Sequence, residues 1–415
     1  MYGAVALVVA APGRVGVSTI RKVAMSAVEG KKVSIVGGGP GGLTLARLLQ
    51  QSGARVSVYE RDQSRTARVQ GSALDLHEDS GLAALEAAGL IDTFWANHRP
   101  DLDRLRLTDN YGKILHDHPR RMSGSGKRPE IERGPLRDIL LDSLEPGTVQ
   151  WDCKLEAAEM QDGQVLLCFA DGETALADIA IGCDGANSRL RELVTPIRPE
   201  YVGVSLVEAL VPAAKQTIPE LWDLLGGSAL IALGGERTIG MGTKPDGSVL
   251  IYAGLKTHNG AARQSLEEAS GPNQRVAWFH ANFEGWSELW DPLFREAVSM
   301  VWRPLLVCPP DQHWEPKPNV TLIGDAAHVM PPYAGEGVNM AMLDALVLSK
   351  LLLSERTSSD AIATYEAEMF ARMQHMTADT MANTEMFYAP DASDRVVALF
   401  RSFGAAEAVP PASEA

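Results

Sequence analysis

The chain has 415 residues, of which 45% are apolar and 22% charged, and a formal net charge of −15. That length supports a large buried core and an expected division into two domains, while the acidic balance argues against a nucleic-acid partner, whose phosphates it would repel. Four scattered cysteines (Cys153, Cys168, Cys183, Cys308), with no Cys-x-x-Cys pair, indicate neither a zinc site nor a disulfide framework. A reducing cytoplasm is the default compartment.

Residues 1–29 are expected to be a disordered extension or an over-called start, since Met25 lies just before the first strand. The apolar run Ala4–Ala11 is too short to span a bilayer and lacks a preceding basic residue, so it makes a poor signal peptide. No later run is long and apolar enough for a membrane helix. Lys32–Val36 reads as a buried strand, Gly37–Gly42 as a tight turn, and Leu43–Gln51 as a helix closed by Gly53. Arg55–Tyr59 is a second strand ending at Glu60. Together they form a βαβ unit of about 30 residues, the size a dinucleotide fold requires. A short helix over Ala83–Ala88 stops at Gly89. Strands follow at Arg104–Leu107 and Lys113–Leu115, and Pro135–Leu144 reads as a helix.

From residue 200 the pattern changes. Val204–Val211, Leu230–Leu233, Thr238–Gly242 and Ser248–Leu255 read as strands of a separate sheet, with Lys244–Gly247 as a turn. Val320–Ile323 returns to a short buried strand. Val338–Leu353 is a long apolar helix, and Ser358–Asp360 opens another whose face carries Ile362, Tyr365, Met369, Met373 and Met376. The tail from Ala405 is expected to be disordered. Trp222, Trp286 and Trp290 read as core residues.

Two motifs carry chemistry. In Gly37-Gly38-Gly39-Pro40-Gly41-Gly42, the glycines at 37, 39 and 42 form a Gly-x-Gly-x-x-Gly fingerprint between strand and helix. Such glycines let backbone approach a pyrophosphate at a helix N-terminus. Glu60, roughly 20 residues further on, would accept hydrogen bonds from adenine-ribose hydroxyls and repel a 2′-phosphate. In Gly324-Asp325-Ala326-Ala327-His328-Val329-Met330-Pro331-Pro332-Tyr333-Ala334-Gly335-Glu336-Gly337-Val338, Asp325 can hold a ribityl or ribose hydroxyl. The amides of Gly337 and Val338 at a helix start would face an electron-rich ring edge. Between them stands Cys183-Asp184-Gly185-Ala186-Asn187-Ser188-Arg189, where Asp184 reads either as part of the site or as a turn cap. His328 reads as a hydrogen-bonded helix residue rather than a base. The three motifs together describe a flavin dinucleotide.

In order and spacing these motifs resemble those of the class A, aromatic-hydroxylase-type FAD-dependent monooxygenases, over roughly residues 31–390. Within that group the wording of Val33–Pro40, Val56–Asp62, Leu74-Asp75-Leu76-His77, His328–Gly335 and Asp344–Ser349 is similar to the tetracycline-inactivating enzymes. Asp184 departs from that subgroup toward the general aromatic hydroxylases. The resemblance implies noncovalent FAD, with NADPH as a transient co-substrate. It puts Glu60 and Arg61 at adenosine, Arg68 at NADPH, Asp75 and Arg133 on FAD, and Asp325 on its ribityl–pyrophosphate arm. The substrate positions fall near Ala229, Gly240 and Ile251, with Pro332 at the flavin turn. These offer apolar contacts where the subgroup has polar or aromatic ones.

The implied reaction forms a C4a-(hydro)peroxide on reduced flavin and transfers one oxygen atom to a phenolic or polycyclic substrate. Tetracycline is the first expectation. A different aromatic substrate, a flavin dehydrogenase or reductase, and a non-catalytic redox sensor remain open. The implied fold is α/β: a discontinuous Rossmann-like FAD-binding domain (30–86, 116–190, 298–335), a mixed-sheet substrate domain (87–115, 191–297), a C-terminal helical segment (336–390) bracing the two, and a tail (391–415). A cytoplasmic monomer acting on O₂ and a small aromatic molecule is expected.

Overall fold

The computed structural model describes residues 26–67, 73–100, 104–118, 128–227, 229–257 and 260–407. Two sheets organise them. Five parallel strands run in the order Val320–Leu322, Ile179–Gly182, Lys32–Val36, Arg55–Tyr59, Val149–Gln150. Three of them, Val320–Leu322, Ile179–Gly182 and Lys32–Val36, are almost wholly buried, as parallel strands covered on both faces must be. Their segments come from far apart in the chain, so the sheet is discontinuous in sequence.

Helix Pro40–Gln50 packs across this sheet and against helix Gly337–Leu352. Gly41 permits the approach: a Cβ there would sit 2.9 Å from the Ala341 carbonyl oxygen. The 30-residue helix Ser358–Phe387 starts at its sequence signal and is capped by Thr357, whose hydroxyl accepts the Asp360 N–H at 3.1 Å.

Seven strands form the second, mixed sheet, in the order Ser299–Val307, Glu200–Val211, Val249–Lys256, Arg237–Thr243, Ala229–Gly234, Leu105–Asp109, Ile114–His118. Only Ala229–Gly234 and Leu105–Asp109 pair in parallel. Alternation sends Val207, Ala209, Ile239, Met241, Ile251 and Ala253 to one face, beneath Phe279, Phe283, Trp286, Trp290 and Phe294. Trp222 packs against the same cluster, so these tryptophans are core. The other face carries Leu206, Ile231, Leu233 and Tyr252, and meets Phe387, Tyr388 and Val396 of the C-terminal region.

Four expectations change. Ser299–Val307, assigned by sequence to the FAD-binding piece 298–335, instead edges the mixed sheet, antiparallel to Glu200–Val211. Its Arg303-Pro304 hid the strand, and proline is tolerated at an edge. Residues His116–His118, also placed with the FAD-binding pieces, extend the same sheet. Residues 26–29 are not an extension: Ala27 and Val28 are buried, and the Ala27 N–H donates to Leu352 O at 3.0 Å. Residues 1–25 lie outside those described. In place of a tail from 391, Ala392–Glu407 is a helix, whose Val396 and Val397 pack in one cluster with Leu206, Leu233 and Phe387. No helix among the described residues is long and apolar enough to cross a membrane.

Candidate active site

The Lys32–Val36 strand delivers the chain into the glycine turn. Gly37 has φ +108°, and a methyl there would drive into the Cys183 carbonyl of the neighbouring strand end. Gly42 packs as closely on Gly37 O. Gly39 differs, since a Cβ there would meet nothing within 4 Å among the described residues. Its exposed edge is therefore the place where a phosphate can approach backbone, at the first turn of an eleven-residue helix.

Glu60 is buried at the end of the adjacent strand. Its carboxylate accepts the N–H of Gly38 at 2.6 Å and of Asp62 at 2.9 Å, which ties the acid to the glycine turn. Arg137 stiffens the corner from behind, reaching Asp62 Oδ2 at 3.2 Å and lying over the Trp151 ring.

The opposite wall begins at Gly324, φ +59°, which turns the chain from strand Val320–Leu322 into Asp325. This turn hangs from Asp344, a fully buried carboxylate on helix Gly337–Leu352. Asp344 accepts the Gly324 N–H at 2.9 Å, His328 Nε2 at 2.6 Å and an Arg372 N–H at 2.6 Å. Burial alone would raise its pKa. The charges and hydrogen bonds of His328, Arg372 and Gly324 outweigh that and hold it below the usual carboxylate range.

Asp325 opens to the cleft although it lies deep among protein atoms. Desolvation raises its pKa, against the pull of His328, Arg133 and Arg191. Asp184 accepts the N–H groups of Arg189 and Leu190 at 2.8 and 3.4 Å, so it caps that turn. Its Oδ1 is buried without a hydrogen-bond partner among the described residues, and the residue also lines the cleft.

Asp75 and Arg133 share a two-stranded ribbon. Strand Ala73–Asp75 pairs with Glu130–Glu132, which runs directly into Arg133 at the start of a helix. Asn339, fully buried, donates to Asp75 O at 2.9 Å and accepts the His77 N–H at 2.9 Å, fixing the ribbon to the start of helix Gly337–Leu352.

One cleft of about 1020 Å³ is lined by Gly37, Gly39, Gly42, Glu60, Arg61 and Asp75, and equally by Arg133, Asp325, Pro332, Gly337 and Val338. Arg68 lies outside the described residues. Sequence reading missed Arg137, Lys154, Arg191 and Glu336, which also line it. Arg191 carried a faint signal, three residues after Ser188, whose hydroxyl accepts its backbone N–H at 3.0 Å.

Of the substrate positions, Pro332 lines the cleft, whereas Ala229, Gly240 and Ile251 do not. Ile251 is buried on the aromatic side of the mixed sheet, the wrong face to meet a ligand in the cleft, because one step along a strand reverses the side chain. Ala229 and Gly240 lie on the opposite face, with Ile231 and Tyr252. That face meets the site through Tyr333, whose hydroxyl is 2.5 Å from that of Tyr388. Tyr388 in turn lies 3.1 Å from Thr238 Oγ1.

The donor set fits a flavin dinucleotide. An open glycine edge faces phosphate, a carboxylate stands where ribose would lie, Asp325 and Arg133 flank the middle, and a helix start at Gly337 has free space above it. Comparison with known proteins agrees. The FAD binding domain family model matches residues 31–204 and 314–380. A relative, 3-amino-4-hydroxybenzoate 2-monooxygenase PtnB3 of Streptomyces platensis, is 30% identical over 87% of this chain and 89% of its own.

Among solved structures, Klebsiella pneumoniae HpxO complexed with FAD and uric acid superposes with a TM-score of 0.71. It has 22% identity and covers 90% of this chain and 92% of its own. The tetracycline destructase Tet(55) gives a TM-score of 0.71 at 20% identity, over 89% and 95%. The fold and site define an FAD-binding α/β protein. The chain belongs to the FAD binding domain family and is a flavin monooxygenase of that family.

Proposed function

We propose that the chain is an NAD(P)H-dependent monooxygenase that places one atom of O₂ on an electron-rich phenolic or polycyclic substrate. The observation that carries this reading is the continuity of the cleft. It runs from Glu60 and the glycine turn to Pro332 and Gly337, where Tyr333 joins it to the mixed sheet. FAD, when bound, supplies the electron transfer and the activation of O₂.

The protein's own residues bind and shield. Glu60 accepts from ribose hydroxyls, Arg61 stands beside it, and Gly39 yields to the pyrophosphate. Arg133 and Asp325 hold the arm between, with Asp325 accepting from the ribityl chain. Asp75 and the N–H groups of Gly337 and Val338 face the ring end, where a helix start favours added negative charge. Because Glu60 disfavours a 2′-phosphate, the nicotinamide donor docks elsewhere and transiently. The mixed sheet covers the ring end and excludes water.

A phenolic substrate is the better reading. The face bearing Ala229 and Gly240 offers small apolar contacts, and the nearby polar groups are the hydroxyls of Tyr333, Tyr388 and Thr238. Tetracycline is the second reading, favoured by the wording of Leu74–His77 and His328–Gly335.

The test is holoprotein with NADPH or NADH under ¹⁸O₂, offered aminophenols, hydroxybenzoates and tetracyclines. A product carrying a single ¹⁸O atom supports the proposal and names the substrate class. Nicotinamide oxidation yielding only hydrogen peroxide with every compound would leave a reductase or oxidase. No turnover at all would leave a redox sensor.

A further inference from the structure

Between strand Ala73–Asp75 and the turn at Glu336 lies one imidazole. His77 is buried, with Nε2 3.0 Å from Asp75 Oδ2 and Nδ1 3.2 Å from Glu336 Oε1. A neutral imidazole has a single N–H and can donate to only one of these carboxylates, whereas an imidazolium donates to both. Asp75 and Glu336 line the cleft. The turn that Glu336 belongs to touches Asp75 directly: a Cβ on Gly335, φ +71°, would lie 3.3 Å from Asp75 Oδ1. Asn339 completes the clasp, accepting the His77 N–H and donating to Asp75 O.

We propose that His77 is a positioning residue for the flavin: as an imidazolium it fastens the Gly335–Gly337 turn to the strand bearing Asp75, and so couples FAD binding to one proton. The proposal deepens the functional reading above and rests on FAD occupying this cleft.

The charges around His77 sustain the cation. Asp75 and Glu336 touch it, Glu130 lies across the ribbon from Asp75, and Glu78 and Asp79 follow it in the chain. Arg128, 3.9 Å from Asp75 Oδ2, opposes them. Burial alone would lower the His77 pKa. The hydrogen bonds and charges of Asp75 and Glu336 prevail and push it up to about 9. A folded-state pKa above the unfolded value of 6.5 means the clasp is fully formed below that value. It is lost as pH rises through about 9.

The test is FAD titration of deflavinated protein from pH 6 to pH 10, read by quenching of flavin fluorescence. The wild type, His77→Gln and Glu336→Gln are compared, with circular dichroism checking that each is folded. The wild-type Kd should hold steady at neutral pH and weaken on the order of tenfold by pH 10. His77→Gln should bind about tenfold more weakly at pH 7 and show no alkaline step. Glu336→Gln should keep the step but move it to lower pH, because one of the two carboxylates that raise the pKa has become neutral. If His77→Gln fails to fold, the shift in Glu336→Gln decides. A step unmoved in Glu336→Gln, or a profile of His77→Gln that parallels the wild type, overturns the proposal. Wild-type protein that binds no FAD at any pH would overturn the FAD reading itself and this proposal with it.

Discussion

Gly37 and Gly39 stand two residues apart in one turn, yet they should respond to the same substitution in opposite ways. At Gly37 a methyl meets the Cys183 backbone at φ +108°, where an L-residue is strained even in open space. Gly37→Ala should destabilise the flavin-free protein by about 2 kcal/mol or more. At Gly39 a methyl meets no atom within 4 Å among the described residues. Gly39→Ala should leave the melting temperature of the flavin-free protein unchanged and weaken FAD tenfold or more, because the methyl enters the space that the pyrophosphate needs. Equal losses of stability in the two variants would count against the phosphate role of Gly39. Glu60 offers a second separation. Both its oxygens serve backbone N–H groups, so Glu60→Gln, which keeps one acceptor, should cost folding about 1–3 kcal/mol in addition to weakening FAD. Chemical denaturation without flavin and titration with it measure the two effects independently.

Elements differ in how legible they were, and the reason is physical. Strand Lys32–Val36, its turn, and helix Gly337–Leu352 announce themselves because glycine punctuation and apolar runs are local signals. Edge strand Ser299–Val307 does not, since its pairing with Glu200–Val211 is non-local and its sequence mixes arginine and proline. Two candidate cofactor residues have local signals as well: Asp325 follows Gly324 at a strand end, and Glu60 ends the strand that follows the glycine fingerprint. Ile251 falls on the core face because neighbouring positions along a strand alternate sides, a distinction that residue identity alone does not carry. Asp344, also within a segment whose wording stood out, had no visible task until the fold brought Gly324, His328 and Arg372 to it. Asp344→Asn should destabilise the protein by about 3–5 kcal/mol, because it leaves Arg372 and His328 without their shared anion. The depressed pKa of Asp344 also sets a sign. Its contribution is present above the unfolded carboxylate value and is lost as pH falls through the lower folded value. Acid titration of stability should therefore show a loss below about pH 4 in the wild type that is reduced in Asp344→Asn. An identical acid limb in both proteins would remove Asp344 from that role.

At the scale of the whole molecule there are two large sheets with separate cores, and helix Ser358–Phe387 reaches both. Near its start, the Tyr365 hydroxyl donates to Leu322 O at 3.0 Å, beside the parallel sheet. Just past its end, the Tyr388 hydroxyl meets Thr238 on the mixed sheet and Tyr333 in the flavin turn. Burial pushes the Tyr388 phenol up to about 12 and Tyr333 well above its ordinary value, so both hydroxyls stay neutral and act as hydrogen-bonding groups at physiological pH. Room for this joint depends on Gly254, the cross-strand partner of Thr238: a methyl there would collide with the Tyr388 hydroxyl and crowd Thr238 Oγ1. Gly254→Ala should thus destabilise strongly, and Tyr388→Phe should cost about 1–3 kcal/mol by leaving Thr238 and Tyr333 short of a partner. In the double variant the offending oxygen is gone. The two losses should then sum to less than their separate values, with a coupling of at least about 0.5 kcal/mol in urea denaturation of the holoprotein. Strict additivity would mean that the end of the long helix and the mixed sheet do not meet in solution, and that the flavin turn is held from the parallel sheet alone.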